Sequence, residues 1–268
     1  MRKIVYCGFV FGLLFTTAAC TSSSGSPKKA GVQQRVYEEE SILFFPDRKD
    51  QSPKLNLNFT LLDISGSEAE RQFLQSVLYQ QNTPEKYREK IIGDYKNEYL
   101  QMGTTVAKDP DFPQESLNWF YDEIMETTML FPQGIVIRRN RDYYTGGAHG
   151  MRETAYFVLD LEKMKRLNLE DIIKPGSEPA LMKEVTIALR DISNLAGDAP
   201  LSSGNYFEDT IEVPKNFFMS AQGLGFHWDP YEIAPYAVGP IEILIPYDKI
   251  KNLLTPQALL LIEKPAQN

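Results

Sequence analysis

Tyr143-Tyr144-Thr145-Gly146-Gly147-Ala148-His149-Gly150 joins two β-rich runs, residues 134–144 and 152–161. A third run, residues 119–131, precedes them across Pro132-Gln133. Consecutive runs with connections this short pair antiparallel. The Gly-Gly-Ala-His-Gly segment is then a hairpin loop or a bulged strand end.

Upstream, residues 54–62 alternate Leu55, Leu57, Phe59 and Leu61 with polar neighbours, the period of a sheet with one wet face. Residues 36–45 predict a partner strand, with 46–53 as the turn between them. Ser67-Glu68-Ala69-Glu70 reads as a capping box, followed by Phe73, Leu74, Val77 and Leu78 at helical spacing. Thr83-Pro84 opens a second helix, with Tyr87, Ile91, Tyr95 and Tyr99 at four-residue steps and Gly103 as its stop. A tyrosine stripe can stack on sugars, but at this spacing we read it as core.

Downstream, residues 168–173 predict a helical turn closed by Pro175-Gly176, and residues 178–195 an amphipathic helix through Leu181, Val185, Leu189 and Ile192. The Gly-, Ser-, Pro- and Asp-rich stretch 196–210 reads as a mobile surface loop. Short strands are expected at 211–213, 217–220, 224–228 and 241–245, with a last helix from 246–248 to Leu254 stopped by Thr255-Pro256. Strands, helices, strands, helix, strands is the segregated order of an α+β fold built on antiparallel sheets. Two parts are expected, a strand-helix-helix half at 35–145 and a β-rich half at 146–268.

The N-terminus has the layout of a secretory leader. Arg2 and Lys3 precede an apolar run from Ile4 to Phe15, and Thr17-Ala18-Ala19 leads into Cys20. The run is shorter than the ~20 residues that span a bilayer. Residues 1–19 therefore read as a signal peptide, and Phe15-Thr16-Thr17-Ala18-Ala19-Cys20 resembles a bacterial lipobox with Cys20 lipidated. Residues 20–34 then form a flexible, Ser- and Pro-rich linker from membrane to domain. The expected place is the cell envelope, and Thr21 after the cysteine favours the periplasmic face of the outer membrane if the cell is Gram-negative.

The chain has 36 acidic against 28 basic residues, a net charge of −8. Loss of Arg2 and Lys3 with the leader makes it more negative. That argues against nucleic acid as a partner. With Cys7 removed and Cys20 lipidated, no thiol remains for a disulfide or a metal, and the chain has only two histidines. No cofactor or metal is expected. There is no Gly-x-Ser-x-Gly elbow, phosphate loop or His-Glu-x-x-His, and Gly223-Leu224-Gly225 lacks the third glycine of a dinucleotide fingerprint.

Binding chemistry concentrates in two places. Gly146 and Gly147 allow close approach of a ligand to the main chain or simply make a tight turn. His149 offers a ring nitrogen to a proton or a carbonyl. Tyr231-Glu232-Ile233-Ala234-Pro235-Tyr236 combines aromatic faces with a carboxylate, the residue types that hold a sugar ring, or else fill core space. The candidate binding residues are Tyr144, Gly146, Gly147, His149, Tyr231, Glu232 and Tyr236. A glycan hydrolase using Glu232 and His149 is the alternative, and a purely structural envelope lipoprotein a third. Convergence of Tyr144, His149 and Glu232 on one cleft would favour a ligand site.

Tyr-x-Gly-Gly-Ala-His at 144–149 and Gly-Leu-x-Phe with Tyr-Glu-Ile-Ala-Pro-Tyr-Ala-x-Gly at 223–239 together resemble the extracellular part of the RsiV-type anti-sigma factors (DUF3298, with a DUF4163-like N-terminal half shared with peptidoglycan deacetylases). The likeness spans roughly residues 35–255. It implies an envelope-facing α+β module, and in the anti-sigma branch this domain binds lysozyme. A sigma-binding segment, a spanning helix and a deacetylase domain are not recognised here, so regulated proteolysis and deacetylation do not carry over. The expectation is a lipid-anchored, non-catalytic module for a cell-wall glycan such as peptidoglycan, or for a protein acting on one, such as lysozyme.

Overall fold

The computed structural model describes residues 31–45, 52–106 and 113–263. The leader, Cys20 and the linker up to residue 30 lie outside the described residues. Among the described residues no helix is long and apolar enough to cross a membrane.

The protein is α+β, and its frame is a seven-stranded sheet. Its strands are β1 (Gly31–Val36), β2 (Glu40–Leu43), β3 (Lys54–Ser65), β4 (Trp119–Leu130), β5 (Gly134–Tyr144), β6 (Met151–Asp160) and β7 (Lys165–Arg166). β4, β5 and β6 form the antiparallel meander that the short connections predict. The alternating strand β3 is central, and it pairs with β4 in parallel. The long crossover between them carries α1 (Glu68–Leu78) and α2 (Pro84–Val106).

Both strands on the outer edge of β3 differ from expectation. The run 36–45 is broken, with β1 pairing residues 60–65 and β2 residues 54–57. The chain thus enters the sheet at Gly31, inside the stretch expected as linker.

Ser67 and Glu70 cap α1 reciprocally, as the motif requires. Leu74 and Leu78 of α1 and Tyr87 and Tyr99 of α2 are buried against β3, so the tyrosine stripe is mainly core. Gly103 does not stop α2. It lets the helix pass under Phe44, whose ring would meet a Cβ there at 2.8 Å.

The second sheet is β8 (Phe217–Met219), β9 (Gly223–Trp228) and β10 (Ile241–Pro246), in the order β10-β9-β8. Beside it lie α3 (Leu169–Ile172), α4 (Glu178–Ile192), α5 (Tyr247–Ile250) and α6 (Pro256–Glu263). β9 is buried along its whole length. Phe218 of β8 stacks on Tyr156 of β6 at 4.4 Å, docking the small sheet on the large one.

Three local expectations are corrected. Residues 211–213 form no strand, because among the described residues nothing pairs with them. The helical run from Tyr247 ends at Leu253, just before Thr255-Pro256 as expected, but it is not the last, because Thr255-Pro256 also starts α6: proline needs no donor at a first turn, and Thr255 Oγ1 accepts the Ala258 amide at 3.1 Å. The stretch 196–210 is not a loose loop, since Leu201 and Tyr206 are buried and Arg190 donates to the carbonyls of Ala199 and Gly197 at 2.9 and 3.1 Å.

The line between the two expected halves falls between paired strands β5 and β6, so both halves share the large sheet. Alternation then divides the core. Ile135, Ile137, Phe157 and Leu159 face the α1/α2 side, while Val136, Tyr156 and Val158 face the small sheet.

Gly134 begins β5 where a Cβ would meet the Leu159 carbonyl oxygen at 2.3 Å. Gly134→Ala is expected to destabilise by about 2 kcal/mol through this overpacking, read from the urea midpoint. An unchanged midpoint would mean the hairpin shifts freely there.

Candidate functional site

The β5–β6 loop is shaped by Gly146 and Gly147, whose φ angles of +93° and +99° lie in the left-handed region that favours glycine. Tyr144 Oη donates to the Gly147 carbonyl at 2.9 Å and closes the loop. Its ring packs near-parallel to Phe120, with centroids 6.4 Å apart.

His149 projects from this loop onto the turn after β9. Its Nδ1 lies 2.9 Å from the Gly150 carbonyl, an acceptor, so Nδ1 carries the proton. Nε2 is then free to accept from Tyr231 Oη at 3.3 Å. The imidazole stacks on Tyr236 at 3.8 Å and 19°, and Tyr231 lies 5.7 Å from Tyr236. Tyr236 Oη donates to the Gly150 carbonyl at 2.9 Å, locking the two motifs together. His149 is exposed and Tyr231 is 51% exposed. The result is a presented aromatic surface.

Tyr231 has φ +73°, a left-handed conformation held by its amide bonding to the Ala234 carbonyl at 3.1 Å. Such a residue stores on the order of 1–3 kcal/mol of strain, and exposed strain of this kind collects at binding sites. Beside the platform Phe120, Asp142, Gly150, Arg152, Tyr236 and Gly239 line a cavity of about 320 Å³. Arg152 bonds Asp142 across it at 2.7 Å.

Glu232 does not join this group. Its Oε2 accepts the Asp229 amide at 2.6 Å, capping its own turn, and the exposed side chain lines a different cavity. The expected convergence of Tyr144, His149 and Glu232 is therefore split: Tyr144 shapes the loop, His149 joins Tyr231 and Tyr236, and Glu232 faces away.

Sequence reasoning missed His227. It is buried, with Nδ1 3.2 Å from Glu242 Oε2 and Nε2 3.1 Å from Asp229 Oδ1. Both nitrogens face acceptors, so the ring is an imidazolium. Burial pulls its pKa down, but hydrogen bonds to Asp229 and Glu242 and their charges overcome that and raise it to about 9. The same hydrogen bond from His227 holds the Glu242 carboxyl below its ordinary range. Tyr156 Oη also donates to Glu242 at 2.9 Å, and Asp229 Oδ1 accepts the Thr154 amide at 2.8 Å. This network anchors the base of the turn that presents Tyr231 and Tyr236. A signal existed, because an antiparallel hairpin places Glu242 opposite His227, with Asp229 two residues on. Among the described residues no group of three or more His, Cys, Asp or Glu side chains is placed to hold a metal ion.

Comparison with known proteins bears on this region. Residues 170–248 match the family described as a protein of unknown function, DUF3298. The match includes the Tyr231–Tyr236 turn and His227, and begins after the His149 loop. Two solved structures are similar over almost the whole chain. A DUF3298-family protein from Bacteroides fragilis is 21% identical with a TM-score of 0.73, covering 88% of this chain and 98% of its own. Another from Pseudomonas aeruginosa is 19% identical with a TM-score of 0.57, covering 90% and 99%. At these identities the likeness is one of fold. No curated protein matches the chain.

Proposed function

We propose that the protein is a non-catalytic binding module of the bacterial cell envelope, lipid-anchored through Cys20, that recognises a cell-wall glycan such as peptidoglycan. Its two parts follow the RsiV-like arrangement, a DUF4163-like half and a DUF3298 half on one sheet. One observation carries the reading: two motifs far apart in sequence meet as a platform of exposed His149 and Tyr231 over half-buried Tyr236. Aromatic faces hold the apolar face of a sugar ring while hydroxyls and neighbouring charges, here Arg152 and Asp142, bond its rim. The net charge of −8 supports a second ligand, a basic glycan-acting protein such as lysozyme. The hydrolase reading is weakened because Glu232 caps its own turn and lines a cavity that His149 does not line.

The test is co-sedimentation of the chain from Thr21 onward with purified peptidoglycan sacculi, beside a titration against lysozyme. Tyr231→Gly is expected to weaken binding tenfold or more. It also removes the left-handed strain, so its stability is expected to rise by about 1 kcal/mol. Glu232→Gln is expected to bind normally. Full binding by Tyr231→Gly and by His149→Ala would sink the platform reading, and binding to lysozyme alone would replace the glycan with a protein.

A further inference from the structure

A second cavity, of about 410 Å³, lies between the 207–216 segment and Trp228 and Ile233. This segment is anchored at both ends. Phe207 donates its amide to the Ile233 carbonyl at 2.9 Å, and the Asn216 carbonyl accepts from His227 at 3.0 Å. Between those points, residues 208–215 make no main-chain to main-chain hydrogen bond among the described residues. Yet Ile211 and Val213 are partly buried against the core while Thr210 and Glu212 are exposed. That is the alternation of a strand, with its pairing groups unfilled by the protein itself.

The chemistry around the cavity is one-sided. Glu208, Glu212 and Glu232 line it against a single cation on the rim, Lys215. The positive charge of His227 at its floor is already matched by Asp229 and Glu242. Phe207 stands 50% exposed at the mouth, and Trp228 closes the back.

We propose that this groove receives an extended, basic segment of a partner polypeptide. The segment's main chain pairs with residues 210–213 by strand addition. Its lysine or arginine heads meet Glu208, Glu212 and Glu232, while their aliphatic stems lie on Phe207 and Trp228. A neutral peptide meets the same backbone without the ionic contacts and an acidic one meets repulsion, so the carboxylates select the partner. The groove is separate from the aromatic platform, and the inference does not rest on the glycan reading.

The probe is an N-acetylated octapeptide of alternating lysine and valine, with its glutamate-valine counterpart as control, added to the chain from Thr21 onward. Amide hydrogen exchange followed by NMR is expected to slow at alternate amides of residues 210–213 with the lysine peptide only. The double variant Glu208→Lys/Glu212→Lys changes two exposed side chains and is expected to weaken binding at least tenfold, while Tyr231→Ala leaves it unchanged. Unslowed exchange at these amides, equal binding of the acidic peptide, full binding by the double variant, or loss of binding in Tyr231→Ala would each overturn the proposal.

Discussion

Glu123→Ala is expected to destabilise the protein by about 3–5 kcal/mol, the range for removing one partner of a buried ionic group. Glu123 is fully buried on β4, beneath the helix pair. It accepts from Tyr87 Oη at 3.0 and 3.1 Å and from Tyr121 Oη. Arg141 on β5 completes the set, with Nε 3.5 Å from Glu123 Oε2 in an ionic contact that is not a hydrogen bond. Burial pushes both phenols up in pKa and the carboxylate charge adds to it, so they stay neutral donors. Burial acts to lower the pKa of Arg141, and Glu123 together with Tyr121 and Tyr87 more than reverses it. Alanine would leave two buried hydroxyls without their acceptor and Arg141 without its buried counter-ion, with only Glu153 remaining at 3.7 Å. Urea denaturation of Glu123→Ala beside Glu123→Gln measures this, with glutamine expected to lose less because it still accepts from one tyrosine. A loss under about 1 kcal/mol for alanine would mean that water takes over the site.

The second large effect is at His227, and it depends on pH. The folded pKa of about 9 stands above the ordinary value of 6.5. The folded state therefore binds the proton more tightly. The resulting stabilisation is complete below the unfolded value, declines as pH rises, and is gone once pH passes the folded value. Its size is about 2 kcal/mol after allowance for solvent screening. The denaturation midpoint is thus expected to fall between pH 6 and pH 10, and His227→Gln to flatten that fall while lowering the midpoint at pH 6. Equal slopes in the two proteins would remove His227 from the account. Because Asp229 joins this network to the turn carrying Tyr231, the glycan binding proposed above is expected to weaken in the same variant.

Where a local rule decided the structure, the sequence was readable. Leu55, Leu57, Phe59 and Leu61 needed only alternation, and Ser67 with Glu70 needed only the reach of two side chains. Residues 211–213 have the same local pattern as a strand, but pairing is a property of two segments and among the described residues none pairs with them. The parallel pairing of β3 with β4 was hidden for a related reason, since two helices intervene and the register is settled in space. Pro256 was ambiguous because proline both ends helices and begins them. At the candidate site, residue types singled out the His149 loop and the Tyr231–Tyr236 turn, and the structure brings these two segments into contact. The facing direction of Glu232 and the pairing of His227 with Glu242 required the strand register.

The alternate residues of β5 and β6 have a consequence for how the molecule comes apart. Val136 and Tyr156 hold the small sheet, while Ile135, Ile137 and Phe157 hold the helices, on the same two hydrogen-bonded strands. Opening either side strips support from the backbone that the other side needs. The protein is therefore expected to unfold cooperatively as one unit, with neither half folding alone. Loosening of the Glu123 side is expected to reach the His149 loop through β5 itself, with no moving part between them.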